Sequence, residues 1–119
     1  MSPADALIRT VVETCWSDDA GVARMAGLVT PDYVHHGATG DWSFAQFAEG
    51  LAWVAAQLDR RAHRVEHVVV DGDLAAAYLS WTALRAADGS AVSGRGAYHC
   101  RLRDGAICED WDVFHPMPG

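Results

Sequence analysis

A chain of 119 residues, half of them apolar, is long enough to bury one hydrophobic core and too short for two. Its formal net charge of -7 excludes the basic footprint that releases counterions from nucleic acid. The cysteines, Cys15, Cys100 and Cys108, stand at no metal-ligand or CxxC spacing, and no apolar run approaches the ~20 residues of a membrane-spanning helix. They read as small buried apolar residues in a reducing compartment. With no leader pattern before Ser2, the expectation is a single cytoplasmic domain over 1–119, bound neither to membrane nor to nucleic acid.

Ser2, Pro3 and Asp5 spell a helix start: a capping hydroxyl, a proline at the first helical position, and an acid near the positive end of the dipole. Leu7, Ile8, Val11, Val12, Cys15 and Trp16 recur at helical spacing and predict one buried stripe. Asp18 and Asp19 break the pattern and predict the cap of a second, short helix. Its Val22, Met25, Ala26 and Val29 would face inward, and Pro31 would stop it. Residues 32–37, DYVHHG, are too few for a helix and predict a short strand in which His35 and His36 point opposite ways. Ser43 and Gln46 make a capping box. Phe44, Phe47, Ala48, Leu51, Ala52, Val54, Ala55 and Leu58 follow it as a long amphipathic helix over 43–60.

Beyond Arg60 and Arg61 the hydrophobic period changes from about 3.6 to about 2. Strands are predicted over 63–70, 74–86, 90–102 and 106–114, divided by turns at Asp71-Gly72-Asp73, Asp88-Gly89 and Asp104-Gly105. Tyr78 and Trp81 fall on opposite faces of the second of these, and Gly94 with Gly96 predicts a bulge or bend in the third. Helices segregated onto an antiparallel meander make an α+β fold. A strongly bent sheet wrapped around the long helix would leave a conical cavity suited to a small hydrophobic ligand.

The closing stretch, DGAICEDWDVFHPMP, alternates Asp110 and Asp112 with Glu109, Trp111 and Val113, and the hairpin register decides which set enters the cavity. A two-residue turn at Asp104-Gly105 pairs Leu102 with Ile107 and Tyr98 with Trp111, which sends both acids to the solvated face beside His99, Arg101 and Arg103. A three-residue turn with a left-handed Gly105 instead puts Tyr98, Cys100 and Leu102 on one face with Cys108, Asp110, Asp112 and Phe114. Desolvation there would raise a carboxylate pKa toward that of a base working near neutrality.

The order of elements, together with the segments YVHHG, HRV, VDGDLAAAY, GAYHCRLRDG and ICEDWDVFHPMP, resembles the nuclear transport factor 2-like superfamily, and within it the SnoaL-like polyketide cyclase and ester cyclase branch. RLRDGAICEDWDVFHPMP is similar to the RLEDGKIVEHWDV pattern of that branch. The resemblance spans nearly the whole chain and implies three N-terminal helices packed in the concave face of a bent, mainly antiparallel sheet. It also implies aldol cyclisation by acid/base chemistry, with neither metal nor organic cofactor. The branch's carboxylate falls on Asp112, with Asp110 beside it, and its histidine position falls on Tyr98. Ketosteroid isomerase, in the same superfamily, places its catalytic aspartate at His36 and its protonated donor at Tyr98. Isomerisation, epoxide hydrolysis with paired Asp110 and Asp112, and ligand binding without turnover are the alternatives on this superfold.

On that reading Asp112 and His36 are the acid/base groups, with His36 either a base or the partner that orients Asp112. Tyr98 is the donor to an enolate oxygen, and His35 is placed toward solvent. Alternatively, His36 only hydrogen-bonds locally. Trp16, Trp53, Tyr78 and Phe114 either line the pocket or belong to the core. His63, His67, His99 and His115 lack the spacing of a zinc site. Trp111, opposite the acids, is expected on the outer sheet face as part of a homodimer interface.

Overall fold

The computed structural model describes residues 2–116, in the order α1 (Pro3–Arg9), α2 (Gly21–Ala26), β1 (Val29–Gly37), β2 (Gly40–Ser43), α3 (Phe44–Gln57), β3 (Leu58–Asp71), β4 (Leu74–Arg85), β5 (Ala91–Arg103) and β6 (Ala106–Pro116). Met117 and Pro118, the end of the closing motif, lie outside the described residues, as does the His115 side chain.

The Ser2 hydroxyl accepts the Asp5 N–H at 3.1 Å and starts α1 at Pro3. The helix runs on as a π-helical stretch, Thr10–Cys15, in which the Trp16 N–H reaches back five residues to the Val11 carbonyl. Ile8, Val11, Val12, Cys15 and Trp16 are buried, as the stripe predicts. α2 is shorter than expected, and its N-cap is Ala20 rather than Asp18 or Asp19, the Asp18 carboxylate accepting only the Ala20 N–H one residue ahead of the helix. Gly27 ends it, Ala26 is exposed, and Val29 and Pro31 belong to β1. The reason is tertiary: the Leu28 carbonyl accepts the Ile107 N–H at 2.9 Å, which draws the chain into the sheet beside β6. The capping box at Ser43 and Gln46 is formed, and α3 gives way at Leu58 to extended backbone paired with Arg85.

The sheet order is β2-β1-β6-β5-β4-β3, with β1 parallel to β6 and every other pair antiparallel. β2 is an edge strand with no forecast in the sequence reading. The helices cover one face, giving the expected α+β architecture. Ile8, Val12, Trp16, Met25 and Phe47 from the helical side form one core with Val65, Ala77, Leu79, Tyr98 and Ile107 from the sheet. Among the described residues no helix is long and apolar enough to cross a membrane.

β5 pairs with β4 without interruption from Leu74↔Arg101 to Leu84↔Ala91, so the bulge expected at Gly94 and Gly96 is absent. Gly96 answers a different need. A Cβ there would stand 2.7 Å from the Phe114 ring and 2.8 Å from the Val113 carbonyl oxygen.

The decisive irregularity lies in the last hairpin. Asp104 (φ 55°) and Gly105 (φ 80°) are both left-handed, which closes a two-residue turn with Arg103 opposite Ala106 and Leu102 opposite Ile107. The ladder then slips: Arg101 pairs with Glu109, Cys100 with Asp110 and Tyr98 with Asp112. Cys108 is the extra residue of a β-bulge, and its thiol lies 3.4 Å from the Arg101 carbonyl. Ile107 and Asp110 are both fully buried although three residues apart, which alternation forbids in a regular strand. Neither anticipated register holds alone. The turn is the two-residue one, and the bulge delivers the acids to the cavity side.

Candidate active site

Asp110 is completely buried and is an acceptor for three donors. The Tyr33 hydroxyl lies 2.9 and 2.8 Å from its two oxygens, the Tyr98 hydroxyl donates to it at 2.7 Å, and His35 Nδ1 stands at 2.7 Å. A carboxylate held this way makes Nδ1 of His35 the protonated nitrogen and turns Nε2 outward. Nε2 lies 3.6 Å from an oxygen of Asp112, whose side chain is 19% exposed. The parallel pairing of β1 with β6 brings this about by setting His35 opposite Asp110.

Asp112 stands where this buried row meets a cavity of about 310 Å³, lined also by Trp16, Phe47, Leu51, Val54, Leu58, Arg61, His63, Trp81 and Phe114. Burial pushes the Asp112 carboxyl above its ordinary value, His35 opposes this in part, and the Asp110 charge adds to it. Burial and the Asp110 charge also raise both tyrosine hydroxyls well above the usual phenol range, so they remain proton donors to that carboxylate. Trp16 packs edge-on against Tyr98 at 4.7 Å and Phe114 at 5.7 Å, forming the apolar floor. The indole N–H groups of Trp16 and Trp81 are buried without an acceptor among the described residues.

At the other end of the cavity, Ser17 Oγ accepts the backbone N–H of His63 at 3.0 Å and lies 3.0 Å from its Nδ1. Burial and the neighbouring Arg61 guanidinium push His63 down to about 4, so the imidazole is neutral at ordinary pH. Arg61 is itself held by the carbonyls of Trp16 and Leu58 and by Asp19.

Several sequence-based placements change. His35, expected toward solvent, is buried and backs Asp112. His36 lies on the outer face, where it bonds Glu109 at 2.9 Å and Asp41 at 2.8 Å and stacks on Trp111. The alternation that puts Tyr33 inward carries His35 with it, and that aromatic two residues upstream was the available signal. Tyr98 is in the expected row beside Asp112, but its only hydroxyl proton is spent on Asp110, so it is not free for an enolate oxygen. Asp110 is fully buried, outside the cavity lining, and holds the two tyrosine hydroxyls and His35. Trp16 and Phe114 line the pocket. Trp53 does not, being 67% exposed on the outward side of α3. Tyr78 does not either, because Ala77 and Leu79 take the inward positions of β4 and leave it stacked on His67 at 5.6 Å. Trp111 is on the outer face as expected, between His36 at 4.8 Å and His99 at 4.4 Å. His63, which lacks the spacing of a zinc ligand, lines the cavity instead. Among the described residues no group of three or more His, Cys, Asp and Glu side chains is arranged to hold a metal ion.

No curated protein matches the chain. Among solved structures, a protein from Jannaschia sp. CCS1 superposes with a TM-score of 0.85 at 16% identity, over 94% of this chain and 85% of that one. IdmH from Streptomyces antibioticus gives 0.81 at 21%, over 96% and 92%. A SnoaL-like polyketide cyclase from Agrobacterium tumefaciens gives 0.79 at 13%, over 97% and 93%. Likeness at this level of identity shows a shared fold. The model of the SnoaL-like domain matches residues 8–110, most of the chain, and the chain therefore belongs to the SnoaL-like domain family.

Proposed function

We propose that the protein is a cofactor-independent enzyme of the polyketide-cyclase type, using Asp112 as the base that takes a proton from the carbon next to a carbonyl group. The observation that carries this reading is the row Asp112, His35, Asp110: a partly desolvated carboxylate at the wall of an apolar cavity, backed by an imidazole whose orientation a sealed carboxylate dictates. Burial raises the Asp112 pKa and makes it a stronger base than a surface carboxylate. A proton taken from substrate has Nε2 of His35 3.6 Å away to share it, and the same route returns it to the product oxygen in an aldol closure. With the Tyr98 proton committed to Asp110, the site suits carbon acids whose enolate is part of a conjugated system, as in aryl ketones and polyketide-like compounds. Epoxide opening by paired carboxylates is less well supported, because Asp110 has no surface to offer a substrate.

The direct test is exchange of the C2 protons of 1-tetralone for deuterium, followed by NMR. Asp112→Asn keeps the shape and removes the base, so exchange should fall by about 100-fold or more. In the wild type the rate should rise with pH as Asp112 ionises, with an apparent pKa above the ordinary carboxylate value of 3.8. Exchange that survives Asp112→Asn, or its absence in the wild type, overturns the assignment.

A further inference from the structure

Asp112 accounts for only one end of the cavity. It stands level with Tyr98, Ala77 and Val68 across the sheet, whereas His63 stands level with Trp81, Gly94 and Pro116. The two differ by three strands across the sheet and by four residues along it, and the Trp16 indole bridges them, its centroid 5.9 Å from the His63 ring and 4.7 Å from that of Tyr98 beside Asp112. Both side chains nevertheless line one cavity, so they mark its opposite ends.

The polar groups near His63 are of one kind. Ser17 Oγ accepts the His63 backbone N–H and has one proton of its own, for which Nδ1 at 3.0 Å is the acceptor. With that proton given to Nδ1, the neutral imidazole is the tautomer protonated on Nε2, a donor with Nδ1 already satisfied. The Arg61 guanidinium next to it is cationic, with donors bonded to the carbonyls of Trp16 and Leu58 and to Asp19, and the indole N–H groups of Trp16 and Trp81 lack acceptors among the described residues. The end of the cavity near Asp112 is acidic and the end near His63 offers only donors. A ligand that meets both has an acidic C–H at one end and an oxygen acceptor at the other.

We propose that His63, held by Ser17 as the Nε2–H tautomer, is a specificity-determining donor that binds a second oxygen of the substrate, remote from the reacting carbon. The inference rests on the reading of Asp112 as the base and extends it to a substrate class: elongated, conjugated ketones carrying a carbonyl, phenol or ether oxygen at the far end.

The test uses a matched pair of probes, 1-tetralone and 6-methoxy-1-tetralone, which share the ketone and differ by one remote acceptor. Titrated by tryptophan fluorescence, the wild type should bind the methoxy ketone roughly fivefold more tightly, the value of one ordinary hydrogen bond. His63→Phe, which keeps a planar ring and removes the donor, should abolish that preference. His63→Gln, which restores an N–H, should recover most of it. Because both ketones are compared on the same preparation, the ratio is insensitive to a loss of folded protein, and two variants guard against one that does not fold. Failure of the wild type to prefer the methoxy ketone, including failure to bind either, overturns the proposal, as does a preference that persists in His63→Phe. Deuterium exchange at C2 is read separately. Absent exchange with a His63-dependent preference removes the role of Asp112 and leaves the anchor standing, whereas normal exchange with no such preference does the reverse.

Discussion

Asp110 carries the structural burden of the site. Its side chain has no contact with water and satisfies two tyrosine hydroxyls and an imidazole N–H at once. Asp110→Ala would leave Tyr33, Tyr98 and His35 without their acceptor. At about 1–3 kcal/mol for each stranded donor, the loss of stability should reach at least about 3 kcal/mol in urea unfolding. A loss below about 1 kcal/mol would mean that water replaces the carboxylate and that the row is not sealed. The residue types of this network were legible from the sequence, since Asp110, Asp112 and Tyr98 were all singled out. Their division of labour was not. Whether a carboxylate faces a ligand or two hydroxyls depends on the depth at which it sits, and the oxygens of the fully buried Asp110 are occupied by Tyr33, Tyr98 and His35.

At the scale of elements, the last hairpin decides the chemistry. The Asp-Gly turn was legible, because few pairs tolerate two consecutive left-handed residues. The bulge at Cys108 was not, although its trace is in the sequence: Ile107 reads as core, and so do Phe114 and the face with Asp112, yet they have opposite parity. Two glycines separate turn from packing. Gly105→Ala forces a left-handed alanine and should cost about 1–2 kcal/mol in thermal unfolding while leaving ketone binding unchanged. Gly96→Ala drives a methyl group into the Phe114 ring and the Val113 carbonyl, so it should cost roughly 3 kcal/mol and weaken ketone binding as well. Equal effects of the two would contradict the role of Gly96 in seating Phe114 at the cavity wall. The same logic explains α2, whose end was misplaced because a hydrogen bond from Ile107 to Leu28 outweighs the local pattern that ran on to Pro31.

For the whole molecule, the outer sheet face presents two level rows, Trp111, His99, Ala76 and Val69, and Val113, Ala97, Tyr78 and His67. Val69 and Val113 are 63% and 59% exposed, in a chain otherwise rich in acids. We propose that a second copy covers these rows. Sedimentation equilibrium should then find a dimer, and Val113→Glu should shift it toward monomer, whereas a wild-type monomer would dismiss the idea. The α+β class, the order of long strands and the helix caps at Ser2 and Ser43 followed from the sequence alone, because periodicity, caps and Asp-Gly turns act over a few neighbouring residues, and the family followed from the resemblance of whole segments. Tertiary structure alone decided that His35 rather than His36 backs Asp112, that Tyr98 gives its proton to Asp110, and that His63 lines the same cavity as Asp112. The first and last of these depend on pairings between residues distant in the chain, β1 with β6 and the helical segment before α2 with β3, and the second on the bulge in the last hairpin, none of which a local pattern encodes. The closing strand therefore announced that its carboxylates mattered, but one extra residue in its ladder determined where they point.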